Sequence, residues 1–147
     1  MDFRVSREAF LRVLTHVSSI VDSRSTIPIL SNIYIKCDNN QIEIRSTDMD
    51  ISIREFVSTD SSKNGEATVN SRILTDIIRK TKKNSIVKCK LEGNRLIINS
   101  DNSVFELNAL TADEFPKFVT LDSSNSLELS IAQIKRLFNK TKFAISS

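Results

Sequence analysis

The sequence predicts a two-layer α+β domain in which two amphipathic helices cover antiparallel sheet. Three observations carry that prediction. Apolar residues recur at helical spacing in two stretches, 7–21 and 71–83, each preceded by a residue suited to an N-cap. Other runs alternate apolar and polar residues at the period of a half-buried strand. The order strand, helix, three strands occurs twice within the first 110 residues, an internal pseudo-two-fold repeat.

Phe3 and Val5 alternate with polar neighbours and predict a short first strand. Ser6 is suited to cap the first helix, whose apolar face carries Phe10, Val13, Leu14, Val17, Ile20 and Val21. That helix should fray near D-S-R-S-T, ahead of Pro28, because the residue before proline disfavours helical backbone. Strands are predicted over 30–37, 41–46 and 49–56, with D-N-N as the hairpin turn between the first two. The run S-T-D-S-S-K-N-G at 58–65 has the composition of a loop. The second unit opens with a strand at 67–69. Asn70 or Ser71 then caps a helix over 71–83 with Ile73, Leu74, Ile77 and Ile78 on one face. Strands follow at 86–91, 95–99 and 103–107, separated by E-G-N and S-D-N turns.

The tail, L-E-L-S-I-A-Q-I-K-R-L-F-N-K-T-K-F-A-I-S-S, repeats the start at an offset of 124 residues. Leu127 and Leu129 fall on Phe3 and Val5, Ser130 on Ser6, and Arg136 on Arg12. Ile134, Leu137 and Phe138 fall on Phe10, Val13 and Leu14. A short strand, a Ser cap and a basic helix are expected there. Residues 1–122 are read as a first domain and 123–147 as the opening strand and helix of a second copy, cut short.

With 147 residues the chain can bury one full core. No apolar run approaches the length of a membrane-spanning helix, so no membrane partner is expected. The start, M-D-F-R-V-S-R-E, has no long apolar stretch and predicts no signal peptide. Cys37 and Cys89 lie within apolar alternations. They read as core-filling thiols in a reducing cytoplasm, not as a disulfide framework.

Net charge is only +3, but it is segregated. Residues 71–83 hold Arg72, Arg79, Lys80, Lys82 and Lys83 against one acid, Asp76. Residues 131–147 hold Lys135, Arg136, Lys140 and Lys142 against none, so the remaining strands and loops are acidic on balance. Basic helices suggest a face offered to a polyanion. No aromatic residues interleave with these cations as a base-stacking platform requires. The expected contacts are therefore to phosphates, which hold a duplex without reading its sequence. The bland alternative is that cations at 79–83 favour a helix C-terminus.

Candidate chemistry is sparse. His16 sits beside the apolar stripe of its helix and reads as a polar-face residue. Asp48 and Asp50 alternate in S-T-D-M-D-I-S but have no third ligand at a useful spacing, which makes a weak Mg²⁺ site. Asp113 and Glu114 precede Phe115 and Pro116 in a connecting loop that they could cap or bend. The two glycines, Gly65 and Gly93, form no phosphate-binding loop. No enzyme and no cofactor is predicted. Two competing readings are an interaction domain without a nucleic-acid role and a small nuclease built on Asp48 and Asp50.

Four runs carry a family resemblance: R-S-T-I-P-I-L-S-N-I, S-T-D-M-D-I-S-I, L-E-G-N-R-L-I-I and L-T-A-D-E-F-P. In combination they resemble the N-terminal part of the bacterial sliding clamps, the beta subunits of DNA polymerase III, and the likeness covers the whole chain. The resemblance implies the DNA-clamp fold, with two helices packed on antiparallel sheet in each of three similar domains per subunit. Two subunits close head to tail as a homodimer ring around duplex DNA. The ring tethers the replicative polymerase as a non-catalytic processivity factor, placed by an ATP-dependent clamp loader. It also implies site residues. Arg24 matches a loop position that touches DNA, and Arg72 an inner-face basic position. Arg12, Arg79, Lys80, Lys82, Lys83, Arg136 and Lys140 are the other expected DNA-facing cations. Ile73, Ile77, Phe105 and Leu107 fall where the first domain meets the partner subunit, with ordinary core as their alternative. The family often has basic residues where this chain has Ile73, Asn102 and Val104, so apolar packing is expected to outweigh ion pairs there. A chain of this length is not expected to close the ring, and the family's pocket for partner peptides would lie outside it.

Overall fold

The structure, a computed structural model, describes residues 1–21, 26–117 and 127–144. The chain falls into two units, Met1–Lys117 and Phe118–Ser147. In the first, the elements run β1 (Asp2–Ser6), α1 (Arg7–Val17), β2 (Asn32–Asp38), β3 (Gln41–Thr47), β4 (Ser52–Ser58), β5 (Asp60–Lys63), β6 (Gly65–Asn70), α2 (Ser71–Lys80), β7 (Ile86–Glu92), β8 (Arg95–Ser100) and β9 (Ser103–Leu110). The second holds α3 (Ile131–Thr141).

Both helix starts in the first unit form as the sequence predicts. Ser6 Oγ accepts the Ala9 N–H at 3.4 Å, and Asn70, not Ser71, caps α2 by accepting the Ile73 N–H at 3.0 Å. The D-N-N hairpin turns on Asn39 and Asn40, both left-handed with φ of 46° and 61°. That pair of values suits the two-residue turn whose twist matches the flanking strands.

Strand order is β4-β3-β2-β6-β9-β8-β7-β1-β5, antiparallel throughout. The two halves exchange strands. β6 opens the second half yet pairs with β2 of the first, while β1 opens the first half yet pairs with β7 of the second. β9 spans both, meeting β8 over 103–108 and β6 at Ala109 and Leu110. Its counterpart is β4 and β5 taken together. β4 pairs with β3, and after Thr59 β5 pairs with β1, so the sheet ends at two consecutive pieces of chain. One core results. Phe3, Phe10, Leu14, Ile33, Ile35, Ile42, Ile44, Leu74, Ile78, Leu96 and Ile98 are fully buried in a single cluster drawn from both helices and both halves of the sheet.

Several expected boundaries move. The stretch 58–65 contains strand β5. Its polar side chains look like loop, but its backbone finds a partner in β1. The strand expected over 49–56 begins at Ser52, because Asp48 Oδ1 accepts the Asp50 and Ile51 N–H groups (3.0 and 2.6 Å) and holds 48–51 as a turn. The strand expected from Leu30 starts at Asn32, after a 3₁₀ turn at Pro28–Ser31. α1 ends at Val17 and continues as a 3₁₀ turn at Ser18–Ile20. The second helix ends at Lys80, three residues early. Thr81 turns to extended backbone and donates its hydroxyl to Ile78 O at 2.7 Å. Residues 127–130 form no strand, since a strand needs a partner and none pairs with them among the described residues.

Candidate nucleic-acid interface

The two helices of the first unit lie antiparallel. Arg7, at the start of α1, donates to Ile78 O (3.2 Å) and Arg79 O (2.8 Å) at the end of α2. Ser18, just past α1, shares hydroxyl contacts with Ser71 (2.7 Å) and Thr75 (3.0 Å) at the start of α2.

This pairing divides the surface of α2. Leu74 and Ile78 enter the core, and Ser71 and Thr75 face α1. Ile73 and Ile77, one turn apart, share the opposite flank. The remaining face, Arg72, Asp76, Arg79 and Lys80, points away from the sheet, and its three cations are exposed. Arg79 Nη1 pairs with Asp76 Oδ1 at 2.7 Å, an exposed i,i+3 pair. Lys82 and Lys83 are exposed in the turn after the helix, so the cationic cluster continues past the helical C-terminus. Arg12 is exposed on α1. Arg24 lies outside the described residues. In the second unit Ser130 and Gln133 close a capping box at the start of α3. Arg136 and Lys140 are exposed, and no side chain of α3 is buried.

The turn after α2 is tied to α1. Asn84 is left-handed (φ 60°) and donates its N–H to Glu8 Oε1 at 2.8 Å, while Arg7 N donates to Ser85 O at 3.0 Å. Chiefly through the Asn84 hydrogen bond, and also through the adjacent Arg7 charge, the Glu8 carboxyl is held below the usual carboxylate range.

A second feature adjoins α2. Over residues 103–108, β9 pairs with β8 on one side and has no strand on the other among the described residues. Beside this open edge is a cleft of about 450 Å³, lined in part by Asn32, Asn70, Ile73, Leu107 and Leu110. Of the four residues expected at a subunit interface, Ile73 is 53% exposed. Ile77 and Phe105 are half-buried against the core. Leu107 is a core residue, 6% exposed, that also reaches the cleft. Exposed Val104 and Leu110 add apolar surface to the strand. Sequence reasoning considered Val104 at the interface only as a lost basic position and left Leu110 out, although alternation along β9 places both on the face opposite Phe105 and Leu107.

Of the residues weighed for chemistry, His16 and Asp48 have structural partners. His16 Nδ1 meets Glu55 Oε1 at 2.5 Å and links α1 to β4. Asp48 holds a turn. Cys37 and Cys89 are free and buried, and burial pushes both thiols up. Among the described residues, no group of three or more His, Cys, Asp or Glu side chains could hold a metal ion.

Two helix-and-sheet halves joined by exchanged strands, with a cationic helical face and an open sheet edge, define a domain of the DNA-clamp class. Residues 1–121 match the family described as DNA polymerase III beta subunit, N-terminal domain, and the chain belongs to that family. The beta sliding clamp of Pseudomonas aeruginosa is 32% identical over 149 aligned residues, and that of Caulobacter vibrioides 33%. The alignments cover 99% and 100% of this chain but 40% of each relative. Among solved structures, a Caulobacter crescentus beta sliding clamp superposes with a TM-score of 0.94 at 33% identity, covering all of this chain and 40% of that one. The Pseudomonas aeruginosa clamp bound to griselimycin gives 0.93 at 29%, with the same coverage. The chain thus spans about 40% of the length of the curated relatives it matches.

Proposed function

We propose that this chain is the first domain, and the start of a second, of a sliding clamp: a ring subunit that encircles duplex DNA and tethers the replicative polymerase. The reading belongs to a protein that carries the remaining domains of its relatives. Residues 123–147, with the capped helix α3, fit the opening of that second domain.

The observation that carries the reading is the grouping of Arg12, Arg72, Arg79, Lys80, Lys82 and Lys83 on the outward side of the helical layer. In a ring this layer lines the hole, and Arg24, Arg136 and Lys140 are the further cations assigned to DNA. Cations on mobile side chains neutralise phosphates without fixing register, so the protein slides. Enclosure supplies the retention that such weak contacts lack. The open edge of β9, with Ile73, Ile77, Phe105 and Leu107, supplies the seam to a second copy arranged head to tail. Pairing at that seam also protects the edge from unspecific association. An ATP-dependent loader opens and places the ring in the bacterial cytoplasm. The clamp is an accessory subunit with no catalytic step of its own.

Primer extension on a long single-stranded circle tests the function. With the cognate polymerase, loader and ATP, the full-length protein lengthens products made per polymerase binding event. Product length independent of the protein contradicts the proposal.

A further inference from the structure

This inference rests on the reading that the helical face meets DNA. We propose that Arg7 and Glu8, at the start of α1, are positioning residues for Lys82 and Lys83. They act by clasping the end of α2, and Glu8 does so although its charge opposes a polyanion.

A helix leaves its last carbonyls without intrahelical partners. At the end of α2, the Arg7 guanidinium caps Arg79 O and adds a further donor to Ile78 O, which also accepts from Thr81. The turn that follows places Asn84 in the left-handed region and is braced within itself by the Ser85 hydroxyl, which donates to Lys82 O at 2.7 Å. Two further contacts fix it: Asn84 N–H to Glu8 Oε1 at 2.8 Å, and Arg7 N–H to Ser85 O at 3.0 Å. Arg7 is largely withdrawn from solvent, with 11% of its side chain exposed, so its role is structural support and not phosphate contact. Lys82 and Lys83 lie between the capped carbonyls and the fixed amide, and both stay exposed. Among the described residues, the pseudo-equivalent junction at the other end of the helix pair shows no such device. There Ser71 replaces Arg7, and contact is made through the hydroxyls of Ser18 and Thr75. Among the described residues, the charged clasp is thus found at the end that presents the lysine pair.

The two possible roles of Glu8 differ in sign. If Glu8 acts only as a negative charge near DNA, both Glu8→Ala and Glu8→Gln strengthen binding. If it positions the turn, Glu8→Ala weakens the lysine contacts while Glu8→Gln, which keeps a carbonyl acceptor for Asn84 N–H, preserves them.

The experiment is a titration of this chain, at low salt, with a short blunt duplex of mixed sequence, followed by backbone amide NMR. In the unaltered protein, amides at Arg72 and at 79–83 shift, and added salt reverses the shifts. In Glu8→Ala the responses of Lys82 and Lys83 fall at least about twofold while that of Arg72 is retained. Glu8→Gln restores them. Equal or larger Lys82 and Lys83 responses in Glu8→Ala overturn the inference. No response at Arg72 or 79–83 in the unaltered protein overturns the DNA-facing reading beneath it. Arg7→Lys, which keeps the charge but not the two-pronged donor, gives a second variant, and its Lys82 and Lys83 responses should also fall.

Discussion

Gly65 shows how much one backbone position can decide. It opens β6 opposite Cys37, and a Cβ there would lie 2.9 Å from the backbone nitrogen of Met1. Met1 is itself buried and its carbonyl accepts the Leu91 N–H at 2.9 Å, so it has no room to retreat. Gly65→Ala should cost about 1–3 kcal/mol in denaturant unfolding. Gly93→Asn is the control: its φ is 56°, nothing crowds it, and asparagine tolerates that region. Equal stability of the two variants would contradict the close approach. At this scale the sequence was partly legible. The caps at Ser6 and Asn70 and the Asn39–Asn40 turn follow from local chemistry. Leu107 does not. Alternation puts it on an apolar face, but only the fold shows that this face is the core as well as the wall of a cleft. Arg7 was invisible as a cap because its acceptors lie more than 70 positions away.

Among the elements, the helices and hairpins were readable because each satisfies its own periodicity. β5 was not. Asp60, Ser61, Ser62 and Lys63 hold no apolar residue, and their strand exists because β1 offers a free edge. The pairing of β6 with β2 and of β1 with β7 was equally hidden, since nothing local marks a strand for the other half. The connector after β9 adds a further element. Residues Ala112–Glu114 make a 3₁₀ turn, and Phe115 is buried against Tyr34 with ring centroids 5.8 Å apart. Tyr34 is held in turn by its hydroxyl bond to Glu66 (2.5 Å) and by the Arg45 guanidinium 5.0 Å from its ring. Burial, then that carboxylate, pushes the Tyr34 phenol above its usual range, so it stays a donor. We expect Phe115→Ala to release the connector alone. Exchange of the residue-115 amide, which bonds to Ala112 O, should accelerate about tenfold or more, with β2 and β3 unchanged. Retained protection at 115, or loss throughout the sheet, would show that the strap is not a separate unit.

For the whole molecule, the repeat of strand, helix and three strands was enough to identify the architecture, and the charge segregation is what led to the helical layer as the proposed working face. What remained hidden is the open edge of β9, which appears only when strand order leaves residues 103–108 without a second neighbour among the described residues. That edge and the cationic face together support the proposal of a subunit that binds DNA weakly by contact and firmly by topology. The direct measurement uses the full-length protein, loaded onto nicked circular duplex and isolated by gel filtration in moderate salt. The account predicts that it stays with the circle and is lost within minutes once a restriction enzyme linearises the DNA, at unchanged salt. Retention that is the same on circular and linear duplex would contradict it.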